Sequence, residues 1–285
     1  MGTRAACHLA RLSARLCRRA QRDAAAPPVR DGAVSARRGC ASGDRLISLP
    51  AGTVAAALDR LARDRTPQAI LDLAMRQGFC DRIALVSSFG AESAALLHMV
   101  AEIDRTTPVL FLQTGMLFAQ TLAYQQELAE RLGLGDVRLI RPDPEALAQA
   151  DPAGRLHASD PDACCHLRKT APLTRALEPF DAWITGRKRY QSASRAGLAV
   201  FEADADGRIK VNPLARWDAV MIRDYMNAHD LPLHPLVGEG YPSIGCAPCT
   251  TPVAPGEDVR AGRWRDRGKA ECGIHFEGGR ARRSA

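Results

Sequence analysis

Ile83-Ala-Leu-Val-Ser-Ser-Phe-Gly-Ala-Glu-Ser93 is the stretch that decides the fold. Ile83–Val86 is a short apolar run of the kind buried on both faces as a strand. A Ser-Ser-Phe-Gly turn follows at once, and helical periodicity then runs through Leu96, Leu97, Val100 and Ile103. The same strand–turn–helix pattern recurs at Val109–Leu112, followed by Thr114-Gly115 and a helix carrying Leu117, Leu122, Leu128 and Leu132. Val137–Ile140 reads as a third strand and Ala182–Ile184 as a fourth. Strands alternating with helices predict an α/β fold with a doubly wound, mostly parallel sheet covered on both faces. In such sheets ligands bind at the carboxyl ends of the strands, where the 87–93 and 113–115 turns fall.

From this core outward the chain divides into three. Residues 1–45 hold ten arginines and three aspartates, which accounts for the whole formal charge of +7, so the remainder is electrically neutral. A general nucleic-acid binder needs a basic face, and the neutral remainder gives no sign of one. The leader resembles an amphipathic transit peptide, but is read here as a disordered basic extension. Residues 46–237 form the α/β domain, with extended pieces and turns over 186–215 and a helix through Val220, Ile222, Tyr225 and Met226. Residues 238–285, rich in Gly, Pro and Arg, read as an ordered loop followed by a mobile tail. No apolar run approaches the roughly 18 residues of a membrane helix, so a soluble, cytoplasmic protein is expected. No internal repeat is evident.

Four features carry chemistry. The SSFGAES turn (87–93) aims amides, hydroxyls and a helix N-terminus at one point, as an anion needs, with Ser87, Ser88, Phe89 and Gly90 as its candidate residues. It lacks the lysine of a Walker A loop, and a plain helix cap with a tight Gly turn explains it equally well. Nine cysteines are many for a chain with no secretory signal. Cys7, Cys17 and Cys40 lie in the leader and Cys80 precedes a strand, while Cys164-Cys165 and Cys246-Ala-Pro-Cys249 sit among polar and turn residues. Four thiolates in two clusters suit a tetrahedral metal or an iron–sulfur cluster. Adjacent cysteines are awkward for one zinc, and a cubane offers each thiolate its own iron, so the cluster is favoured. Third, Cys272 stands near Arg260, Arg263 and His275, where a thiolate could be held reactive. The 22 residues between Cys249 and Cys272 reach up to ~75 Å at ~3.3 Å each, so the tail can fold over the sheet edge. Fourth, Gly186-Arg187-Lys188-Arg189 places guanidinium forks at the ligand edge, with Gln191, Ser192 and Arg195 following.

Together these features resemble the adenylyl-sulfate and phosphoadenylyl-sulfate reductases, from about Ser87 to His275. The matching stretches are SSFGAES, TGMLF (114–118), CCHLRK with APL (171–173), TGRKRYQS, KVNPLARW (210–217), YPSIGCAPCT, AGRW and ECGIH. The resemblance implies a fold of the ATP-pyrophosphatase (adenine nucleotide alpha hydrolase-like) type. It implies that Cys272 attacks the sulfur of the sulfonucleotide, that AMP leaves and S-sulfocysteine remains, and that a thioredoxin- or glutaredoxin-type thiol then frees sulfite, in assimilatory sulfate reduction towards cysteine. Lys169 resembles the family lysine that bridges cluster and substrate; Arg187, Arg260 and Arg263 look like anion clamps, and His275 like a positioning or protonating group. Relatives with both CC and CxxC bind one 4Fe-4S cluster and typically use adenylyl sulfate. That implies Cys164, Cys165, Cys246 and Cys249 as ligands and adenylyl sulfate as substrate, with the 3′-phosphorylated nucleotide as the alternative. An ATP-pyrophosphatase-like ligase or sulfurylase subunit and a zinc-stabilised nucleotide-binding module are the other readings. Gln113 departs from the family's usual Asp, which puts one loop-holding or adenosine-side contact in question. Oligomeric state is not readable from the sequence.

Overall fold

The computed structural model describes residues 49–265 together with 267, 269, 271 and 274. Two N-terminal helices, α1 (Ala51–Leu61) and α2 (Pro67–Asp72), lead into β1 (Ile83–Ser87). Then come α3 (Ser93–Ile103), β2 (Val109–Leu112), α4 (Ala119–Leu132) and β3 (Val137–Ile140). Four short helices follow, α5 (Pro144–Ala150), α6 (Leu156–Ser159), α7 (Pro161–Cys165) and α8 (Ala171–Leu177). β4 (Ala182–Ile184), β5 (Phe201–Ala203), β6 (Ile209–Val211) and α9 (Ala219–Ala228) complete the regular elements. Among the described residues no helix is long and apolar enough to cross a membrane.

The six strands form one sheet in the order β3-β2-β1-β4-β6-β5. All neighbours are parallel except β5 and β6, a local antiparallel pair at one edge. Side-chain alternation along each strand divides the core into two layers. Ile83, Leu85, Val109, Phe111, Ala182 and Ile184 pack with α3 on one face. Ala84, Leu110, Leu112 and Trp183 pack with Leu173 and Leu177 of α8 on the other. Strand order reverses at β1, which has β2 on one side and β4 on the other. A crevice opens at the carboxyl ends of strands at such a reversal.

Local sequence explains several ends that periodicity does not announce. Asp143 and Asp160 each accept two amides of the following turn, ahead of a proline at the first helical position, and so start α5 and α7. α4 stops at Gly133, whose φ of +63° suits glycine. Leu117, expected inside that helix, lies before it and pairs instead with Cys246. Residues His166–Thr170 form a widened π turn between α7 and α8. That turn lets the chain stay helical through Pro172, which has no N–H and whose ring crowds the carbonyl one turn back.

His234 shows how the loop after α9 is tied to the core. It is buried; its Nδ1 accepts the Leu236 amide, so Nε2 carries the proton and donates to Thr121 Oγ1 at 3.0 Å. Burial pushes its pKa from 6.5 down to about 4. Between those values the unfolded chain binds a proton that the folded chain refuses. The stability is therefore intact above pH 6.5 and is lost as pH falls towards 4, by up to about 1.4 kcal/mol per pH unit. Urea unfolding at pH 7 and pH 5 should show this fall, and a His234→Gln protein should show a flatter one. Equal pH dependence in the two proteins would contradict the assignment.

Candidate functional site

The cleft lies where the strand order reverses, has a volume of about 600 Å³, and is lined from both sides of the switch. From the end of β1 come Ser87, Ser88 and Gly90; from the end of β4 come Thr185, Gly186, Arg187 and Lys188. Phe89 has a strained φ of +47°, and its ring is fully buried, edge-on to Phe111 at 5.1 Å. Its amide donates to Ser87 Oγ at 3.1 Å. Of the four residues expected in the anion turn, Phe89 thus anchors the turn from below while the other three face the cleft.

Among the described residues seven cations line the cleft, namely Lys169, Arg187, Lys188, Arg195, Arg223, Arg260 and Arg263, against two carboxylates, Glu92 and Glu271. The excess of positive charge makes this an anion site. Arg187 is held by Glu202, by Asn212 Oδ1 at 3.2 Å and by Thr185 Oγ1 at 3.4 Å. Burial lowers the pKa of Arg187 to about 10, with Arg195 adding to the shift and Glu271 opposing it, so the guanidinium stays charged at neutral pH. Arg260 is also lowered to about 10 by burial, opposed by Glu271 at 3.2 Å. Lys188 is pushed down by burial and supported by Glu92 at 2.7 Å. Arg263 donates to the Ile244 carbonyl at 3.2 Å and lies over the Trp264 ring. The basic run 187–189 divides here, because Arg189 turns away to the Leu198 carbonyl at 2.9 Å.

The second element of the site is a small cavity beside the cleft. Cys164 and Cys165 at the end of α7 and Cys246 and Cys249 on the 246–249 turn all line it, with His157, Arg168, Lys169 and Trp264. The turn is fixed by the Ala247 amide donating to the Met116 carbonyl at 2.8 Å and by Thr114 Oγ1 lying 3.3 Å from Cys246 Sγ. Arg168, on the π turn after α7, bridges the end of α5 and the 113–115 turn, pairing with Asp151 at 2.7 Å and donating to the Thr114 carbonyl at 3.0 Å. Burial pushes the Cys164 thiol up to about 11; Arg168 opposes that, while Cys246 and Cys249 add to it. Burial and Cys246 likewise raise Cys249, against Arg267, Lys169 and Arg263. A thiol held this dry stays protonated at neutral pH unless a cation compensates its charge, so a bound metal would be what ionises Cys164 and Cys249. Among the described residues no group of three or more His, Cys, Asp or Glu side chains is arranged to hold a single metal ion. The four sulfurs instead line the walls of one small cavity, which makes them candidate donors to a common metal or cluster.

Lys169 and Trp264 line both the cleft and the thiol cavity, so the two share a wall. Gln113, which stands where Asp was expected, holds its own turn, since its Oε1 accepts the Gly115 amide at 2.7 Å. Cys272 and His275 lie outside the described residues; their neighbours Glu271 and Ile274 line the cleft. Sequence reading passed over Glu92, Asp151, Glu202 and Glu271. Glu92 lies inside SSFGAES and Glu271 inside ECGIH, but nothing in those motifs or in the sequence around Asp151 and Glu202 says which cation each one meets, 11 or more residues away.

A doubly wound sheet with an anion turn and a cation-lined crevice at its switch point defines an α/β protein of the nucleotide-binding kind. More narrowly, the chain belongs to the phosphoadenosine phosphosulfate reductase domain family, whose pattern matches residues 82–252. The adenosine 5'-phosphosulfate reductase of Mesorhizobium japonicum is 54% identical over 224 residues, which cover 79% of this chain and 88% of the relative. The phosphoadenosine 5'-phosphosulfate reductase of Gloeobacter violaceus is 43% identical over 225 residues, covering 76% and 93%. Among solved structures, the phosphoadenylyl-sulfate (PAPS) reductase of Candida auris, in its phosphate complex, superposes with a TM-score of 0.60 at 25% identity, covering 69% of this chain and 96% of that one.

Gly262 locks the cysteine turn to the segment that follows it. Its carbonyl accepts the Thr251 amide at 2.9 Å, and a Cβ at this position would stand 2.0 Å from the Thr251 carbonyl oxygen. Because that obstacle is backbone, Gly262→Ala must separate the two strands of the loop. The variant should unfold the loop before the sheet, seen as faster thiol labelling of Cys246 and Cys249 with far-UV dichroism unchanged. Labelling at the wild-type rate would show that the packing tolerates the methyl group.

Proposed function

We propose that the protein reduces adenylyl sulfate to sulfite and AMP, as an oxidoreductase of sulfate assimilation. One observation carries the reading: a cleft with a large excess of cations shares Lys169 and Trp264 with a cavity lined by four cysteines. The names of the relatives, adenosine 5'-phosphosulfate reductases at 54% identity among them, point the same way. In this reading residues 46–237 supply most of the nucleotide cleft, and residues 238–285 supply Arg260, Arg263, two of the cysteine ligands and the reacting thiol.

The adenine sits among Leu97, Ile222 and Met226, apolar walls of the cleft. Ser87, Ser88 and Gly90 offer hydroxyls and amides to the phosphate and sulfate oxygens, with Phe89 fixing the turn. Lys169, Arg187, Arg260 and Arg263 neutralise the charge that develops on those oxygens and on the departing phosphate. The Cys272 thiolate attacks the sulfur, the bond from sulfur to the phosphate oxygen breaks, and AMP departs with the electron pair. His275 helps to place the thiolate. A thiolate of an external dithiol, of thioredoxin or glutaredoxin type, then attacks Cys272 Sγ and sulfite leaves with the electron pair. The second thiol of the donor resolves the mixed disulfide, so sulfur gains two electrons and the donor ends as a disulfide. Cys164, Cys165, Cys246 and Cys249 would hold a 4Fe-4S cluster, which would bind α7 to the 246–249 turn and place a charged body beside Lys169. A reaction that consumes an external dithiol fits a reducing, cytoplasmic setting.

Labelled adenylyl sulfate, mixed with the protein without reductant, should raise its intact mass by one sulfonate that maps to Cys272. The 3′-phosphorylated nucleotide should label more slowly at equal concentration. A protein that stays unlabelled, or is labelled elsewhere, contradicts the reading. Anaerobically purified protein should carry about four irons and matching acid-labile sulfide per chain. Zinc in place of iron would refute the cluster while leaving the thiol chemistry to be judged by the label.

A further inference from the structure

Glu271 stands immediately before Cys272 in the chain and is only 3% exposed. Arg195 grips its carboxylate with both arms of the guanidinium, Nε at 2.6 Å and Nη2 at 2.7 Å. Arg260 Nη2 approaches the same carboxylate at 3.2 Å, and Ser192 Oγ donates to it at 3.2 Å. Both arginine side chains are themselves largely buried, at 11% and 14% exposure. Arg195 is steadied from behind by Gln191, which also donates to Glu92 at 3.1 Å. Burial alone would raise the Glu271 pKa, but Arg195 and Arg260 hold it below the usual carboxylate range, so it is an anion at neutral pH.

A forked guanidinium–carboxylate pair fixes direction as well as distance. Residue 271 is thereby tied to the cleft wall at four points on two segments, the 192–195 turn and Arg260, and Cys272 follows it directly in the chain. Two guanidinium groups around one carboxylate leave a positive charge over, so the seat holds the tail and still favours an oxyanion in the cleft.

We propose that Glu271 is a positioning residue for sulfuryl transfer, seating the tail on Arg195 and Arg260 so that the neighbouring thiol meets the sulfur of the bound nucleotide. The inference rests on the reductase reading above. It assigns Arg195 a task distinct from those of Arg187 and Arg263, since Arg195 holds the tail and the other two face the substrate's oxygens.

The test separates binding from transfer, using full-length protein. Single-turnover labelling by adenylyl sulfate without reductant measures transfer, and calorimetric titration with AMP measures binding. Glu271→Gln should slow labelling by about 100-fold, the loss expected for a reacting group misplaced by about 1 Å, while AMP affinity is retained. Glu271→Asp, which keeps the charge on a shorter arm, should recover part of the rate. Labelling of Glu271→Gln at the wild-type rate would overturn the proposal. So would equal losses of labelling and AMP affinity with a lowered melting temperature, which is the signature of a merely structural role. If the wild-type protein itself forms no adduct, the reductase reading fails before any variant is compared, and the inference falls with it.

Discussion

Holding many cations in one dry crevice is the constraint on which the site depends. Burial drives lysine and arginine towards their neutral forms, and like charges drive them apart. The fold answers with carboxylates placed on the cations: Glu202 with Arg187, Glu92 with Lys188, and Glu271 with Arg195 and Arg260, while Asp151 does the same for Arg168 in the thiol cavity beside it. Such pairs add little to stability, because desolvation offsets much of their attraction, but they fix orientation. What remains is an excess of positive charge aimed at the cleft, which an anionic ligand completes.

The sheet determines where that charge gathers. Reversal of strand order at β1 brings the turns after β1 and β4 to the two sides of one crevice. The 246–249 turn then docks on the turn after β2, and that contact places Cys246 and Cys249 opposite Cys164 and Cys165. Lys169 follows Arg168 on the widened turn between α7 and α8 and reaches both spaces. Whatever occupies the thiol cavity therefore acts on the anion site through a shared wall rather than across the protein.

The central strands, the helices after them and the edge that binds ligand were legible in the sequence, because buried parallel strands read as apolar runs and their helices show a clear period. The anion turn, the basic run and the paired cysteines were legible as motifs. The short helices α5 to α7 were not, since their signals are single aspartates and prolines rather than periodicity. Nor was Gln113, whose longer amide reaches the amide of Gly115 even though the carboxylate is gone. The carboxylates behind the cations were beyond sequence reading for another reason. Glu202 and Asp151 meet their arginines across 15 and 17 residues, and Glu271 meets Arg195 across 76. Only the folded sheet edge brings them together. The assignments of Cys272 and His275 still rest on the ECGIH stretch, because both residues lie outside those described.

The central claim is that the lone sulfur of Cys272 is the atom that takes the sulfuryl group. Steady-state sulfite release from adenylyl sulfate, with a dithiol donor in excess, measures that claim directly when the cysteine is replaced by serine. The account predicts that Cys272→Ser binds the nucleotide normally and releases no sulfite above the background without enzyme. Sulfite release at the wild-type rate would contradict it.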